Sequence, residues 1–96
     1  MEPKTTLQSL EEAVAIFTKK YDQVRAQRKE FSEEEMPNIH HFGQRKRRDM
    51  YAHLKELYDT EHVYHFEKEK AIKLLRRERE RVKLLREVAK RATWNF

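Results

Sequence analysis

Eight core-type positions in the first third of the chain alternate strictly by three and four: Leu7, Leu10, Val14, Phe17, Tyr21, Val24, Arg28 and Phe31. Seven of the eight are apolar or aromatic; Arg28 is the exception. A helix turns once every 3.6 residues, so side chains about 3.5 apart line up as one narrow stripe that is buried only against another helix. The spacing therefore predicts helix pairing before anything else about the fold. With 38% hydrophobic and 41% charged residues among 96, and one Gly and two Pro, the chain cannot fill a wide core or build a turn-rich β fold. Long helices that bury a stripe and leave their charges in water fit this composition.

Thr5 and Gln8 have the spacing of a capping box, with Ser9 and Glu12 as a second candidate, so the first helix is expected to begin near Thr5. Glu33, Glu34 and Glu35 oppose the helix dipole at its far end, and Pro37 restricts Met36; the helix is expected to stop there, with a loop over residues 37–43. The stripe resumes at Met50, Leu54, Leu57, Tyr64, Ala71, Leu75, Val82, Leu85, Ala89 and Ala92, with Glu61, Lys68 and Glu78 at intervening positions. No Gly or Pro interrupts it, so one helix over residues 44–91 is expected, with a break at Asp59 and Thr60 as the alternative. The fold class that follows is all-α: an elongated antiparallel helical hairpin, residues 1–43 giving the heptad helix and loop and residues 44–96 a long basic helix.

Folding such a hairpin about residues 37–43 sets position n opposite roughly 77 minus n if both helices rise ~1.5 Å per residue. Arg28 then meets Asp49, Leu7 lies near Lys70, and everything past Ile72 lacks a partner within the chain. That overhang holds Leu74, Leu75, Val82, Leu84, Leu85, Val88, Trp94 and Phe96, which are expected to dock on another protein subunit. A third helix folding back to make a compact domain is the competing arrangement. A homodimer through the seam is a further one.

Residues 1–43 carry six basic and eight acidic side chains, a net of −2, and residues 44–96 sixteen and nine, a net of +7. Arg45, Lys46, Arg47 and Arg48 form one dense cluster, and Arg76, Arg77, Arg79 and Arg81 lie in a second. Either suits phosphate or an acidic surface, which makes nucleic acid the alternative partner. His40, Gln44, Arg47, Arg48 and the stretch 49–57 resemble the opening of the basic helix–loop–helix family. Gln44 stands where that family has its base-reading Glu, and no second dimerisation helix follows, so no family is assigned on this resemblance.

Two Ser, no Cys and a single Gly leave no nucleophile elbow, phosphate-cradling loop or dinucleotide fingerprint, and the chain is not expected to be an enzyme or to hold a cofactor. His62 and His65 stand three apart near Glu61 and Glu69, a spacing too common to imply a metal site. The opening residues have no basic-then-apolar signal, and no apolar run is long enough to span a membrane. The expected role is a non-catalytic interaction or scaffold subunit of an intracellular assembly, in the nucleus or cytoplasm, with an organelle such as the mitochondrion left open.

Overall fold

In the computed structural model, residues 3–94 are described, with side chains described as far as residue 92. Two antiparallel α-helices form a hairpin of 80 × 26 × 17 Å: α1 over Thr6–Glu30 and α2 over Gln44–Trp94. The chain has no strand among the described residues. α1 begins as its sequence predicts. The Thr5 hydroxyl accepts from the Gln8 backbone N–H at 3.1 Å, and the Thr5 backbone N–H donates to the Gln8 side chain at 3.0 Å, closing the capping box. α2 is one continuous helix of 51 residues. Thr60, a candidate cap for a third helix, instead donates its hydroxyl to the Glu56 carbonyl at 2.8 Å within an unbroken helix, so no third helix folds back.

All eight seam residues from Leu7 to Phe31, the last of them in the turn after α1, are half-buried. Their counterparts on α2 alternate by four and three from Met50 to Val82, and all of these are buried or half-buried, with Met50, Ala71 and Leu75 the most enclosed. The three charged seam positions of α2 are each matched. Glu61 takes a two-pronged salt bridge from Arg28, Lys68 lies over the Tyr21 ring at 4.6 Å, and Glu78 pairs with Arg81 at 2.7 Å. Phe31 meets His53 edge to face at 4.8 Å, and Tyr21 packs beside His65 at 5.4 Å.

The turn departs from expectation and changes the register. The chain does not leave the helical path at Glu35: a π-helical turn over Phe31–Glu35 runs into a 3-10 turn over Met36–His41. In a regular α-helix the Pro37 ring clashes with the Glu33 carbonyl and its nitrogen cannot donate. The wider π turn lies over that carbonyl, and Pro37 then stands in the first turn of the 3-10 segment, where a missing N–H costs little. The reversal is thereby confined to Phe42, which is extended, and Gly43. Gly43 has no positive φ, and a Cβ there meets nothing within 4 Å, so the turn does not require glycine.

Because the turn sits later than expected, Arg28 pairs with Glu61 and not Asp49, and Glu11 lies near Arg79 at 3.8 Å. The register is thus displaced by twelve to thirteen residues, or ~18–20 Å along α2. α1 therefore covers α2 well past Ile72. Leu75, expected at an intermolecular surface, is only 7% exposed inside the hairpin, and Val82 is half-buried. The part of α2 without an opposing helix starts after Val82.

Candidate interaction surface

Past Val82 the helix continues for three turns beyond the reach of α1 among the described residues. Seam position Leu85 is 55% exposed, and Leu84 and Val88 on the adjoining line are each 61% exposed. Leu74, within the paired region, faces outward and is also exposed. Of the eight residues expected to dock, the structure thus brings Leu84, Leu85 and Val88 together on the free end, places Leu74 two to three turns before them, and commits Leu75 and Val82 to the hairpin. Phe96 and the Trp94 side chain lie outside the described residues. Lys83, Arg86, Lys90 and Arg91 occupy the same stretch, the first three on the other side of the helix from the apolar group at about 100° per residue, with Glu87 the single carboxylate in residues 83–92.

The two basic clusters differ in kind. Arg45, Lys46, Arg47 and Arg48 are all exposed in the first turn of α2, and none lies within 4.0 Å of a carboxylate among the described residues. Arg47 donates its Nε to the Phe42 carbonyl at 3.0 Å, and the Lys46 ammonium lies 5.8 Å from the centre of the Phe42 ring. Four successive residues at about 100° each encircle the helix, so they make a collar and not a flat strip. Cations at this end oppose the helix dipole, which leaves the collar with unbalanced positive potential. In the second cluster, Arg79 leans toward Glu11 and Arg81 is held by Glu78, leaving Arg76 and Arg77 without a carboxylate within 4.0 Å among the described residues. The hydrogen bond from Arg81 holds the Glu78 carboxyl below its ordinary range and raises the guanidinium in turn.

Arg28 and Glu61 form the least exposed ion pair described, their side chains 18% and 13% exposed. The hydrogen bond to Glu61 raises the Arg28 pKa, partly offset by desolvation, and the guanidinium also lies 4.9 Å from the centre of the Tyr58 ring. The pair bridges α1 and α2, with Tyr21, Tyr58, His62 and His65 lining the same shallow cleft. No group of three or more His, Cys, Asp or Glu converges among the described residues, and His62 and His65 are both exposed. No helix there is long and apolar enough to cross a membrane.

Sequence spacing does not single out Val63, and it sets Phe66 among the aromatics expected to pack in or beside the seam; both lie off the seam and are exposed, Phe66 by 62%. Their signal was there to be read: on a helix whose seam is already occupied, two apolar residues three apart mark a second face. The chain matches no protein-family model, no curated protein and no solved structure.

Proposed function

We propose that this protein is a non-catalytic helical interaction subunit of a larger intracellular assembly, docking through the far end of its basic second helix. The observation that carries this reading is the unbroken run of α2 past the reach of α1, with Leu84, Leu85 and Val88 exposed on it. An isolated helix end with so much apolar surface is only marginally stable in water, whereas a partner that covers it contributes both burial and order. Removing residues 83–96 should leave the thermal midpoint of the hairpin within a few degrees and abolish co-purification of its assembly from the source cells. Loss of the hairpin itself on truncation would refute the reading, because the end would then be part of the domain's own fold.

A second reading has its own observation. The collar of Arg45, Lys46, Arg47 and Arg48 has no carboxylate partner among the described residues and would suit phosphates of a nucleic acid. If it binds them, log affinity falls linearly with log salt, and each removed cation flattens the slope by about 0.7–0.9. Affinity no greater than that of an unrelated protein of equal charge would dismiss this role.

A further inference from the structure

The exposed large apolar residues of α2 beyond residue 60 are Val63, Phe66, Leu74, Leu84, Leu85 and Val88. At about 100° per residue, Val63, Phe66, Leu74, Leu84 and Val88 fall within an arc of roughly 80°, centred some 120° around the helix from the seam, and Leu85, the seam residue of the free end, lies at its margin. Tyr51 and Tyr58, equally exposed on the same helix, fall outside that arc. The free end therefore carries only the last turn or so of a longer outer stripe. It starts beside the middle of the hairpin and runs ~38 Å along α2.

Between the apolar members of the stripe stand Lys70, Arg77 and Arg81, whose stems extend the apolar cover while their heads stay in water. Lys70 and Arg77 have no carboxylate within 4.0 Å among the described residues, and Glu67, at the margin of the arc, is the one carboxylate in it. An occupant thus needs an apolar line flanked by acidic side chains. Neither helix of a second copy of this chain is net acidic. α1 carries five basic and four acidic residues, α2 sixteen and nine, so either helix of another copy brings further positive charge. Nucleic acid would leave five aliphatic side chains facing its phosphates.

We infer that residues 63–88 of α2 seat an acidic amphipathic helix of a different protein along their outer face, making a three-helix contact with the hairpin. This rests on the docking role proposed above and extends its surface back by about six turns. The partner helix lies beside α2 over its paired length, and the free end supplies the remainder of the groove.

The test uses the full chain and a synthetic amphipathic helix of about 26 residues, long enough to match the stripe at ~1.5 Å per residue, with Leu on one face and Glu on the others. A twin with Lys for Glu and a single-stranded oligonucleotide serve as the other probes. Binding is read by fluorescence anisotropy and helix content by circular dichroism. The acidic peptide should bind and the basic twin should not. Replacing both Phe66→Ser and Leu74→Ser should weaken binding by roughly tenfold or more, as for anchors in a central contact, with helicity unchanged. Tyr51→Ser, off the stripe, should leave affinity as it was.

Unchanged affinity in the Phe66 and Leu74 double variant, together with loss in Leu84→Ser with Val88→Ser, would overturn the extended stripe while leaving docking at the free end intact. No binding of the acidic peptide, or binding indifferent to both pairs, would overturn both. Tighter binding of the oligonucleotide, weakened by Phe66→Ser, would assign the face to nucleic acid, and self-association lost in the same variant would assign it to a second copy; each replaces the proposal.

Discussion

Leu75 and Leu85 lie ten residues apart on the same seam of the same helix, yet one is 7% exposed and the other 55%. Their local sequence is similar: both follow a leucine and precede an arginine. What separates them is the end of α1: Glu11, in its second turn, lies at the level of Arg79, and its first turn reaches about Val82 and no further along α2. Periodicity reports which side chains are placed for burial; only the position of the turn decides which of them find a partner at home. The same helix is a core element on one side of Val82 and an open surface on the other.

The comparison is tested most directly by truncating each leucine. Leu75→Ala should cost the isolated hairpin about 2–4 kcal/mol in denaturant unfolding, the usual range for an enclosed leucine. Leu85→Ala should change it by no more than about 0.5 kcal/mol, as for an exposed site. Comparable losses would mean that the free end is covered within the chain.

The charged position of the α1 seam sharpens the point at the other end of the paired region. Arg28→Ala leaves Glu61 largely enclosed without its partner, and the expected loss is about 1–3 kcal/mol. Replacing both residues by leucine should recover most of that, because an apolar pair fits a helix seam at least as well as a desolvated ion pair. If Asp49→Ala were to produce the larger loss, the register would be the shorter-turn one, and the boundary between core and open surface would move back toward Ile72.

Smaller effects probe the two ends of the covered stretch. Thr5→Ala removes the capping box that starts α1 and should cost about 1 kcal/mol by thermal unfolding. Glu78→Gln tests the acid side. A carboxyl held below its ordinary range contributes stability above the ordinary carboxylate pKa and loses it as pH falls through the lowered value. The substitution should therefore make the unfolding midpoint less sensitive to pH below about 4, with the smallest shift of the series because the group faces water at one side.

Much of this architecture was legible in the sequence, and the part that was not has a single physical origin. The α1 stripe, the Thr5 and Gln8 cap and the continuous second helix follow from spacing within one helix, where 3.6 residues per turn is a fixed rule. The pairing of Arg28 depends instead on how many residues the reversal consumes. Pro37 reads as a stop signal because an α-helix cannot hold it, but a π turn followed by a 3-10 turn carries the chain past it. That displacement moved Leu75 and Val82 from the expected docking surface into the hairpin. It also turned attention from the seam to the outer face, where Val63 and Phe66 join Leu74 and the leucines of the free end.

The Arg28 and Glu61 bridge has a consequence for how the hairpin avoids misalignment. A two-helix seam of repeated heptads offers near-equivalent alignments one heptad apart, since aliphatic side chains interlock almost as well after a slip. Here a slip of seven residues would set Arg28 against Leu54 in one direction and against Lys68 in the other. The first strands a guanidinium in an apolar contact, and the second opposes two cations while Glu61 loses its donor. Each wrong alignment thus carries a penalty that the correct one escapes, and the lone arginine in an otherwise apolar stripe serves as the tooth that lets the two helices close in one position only.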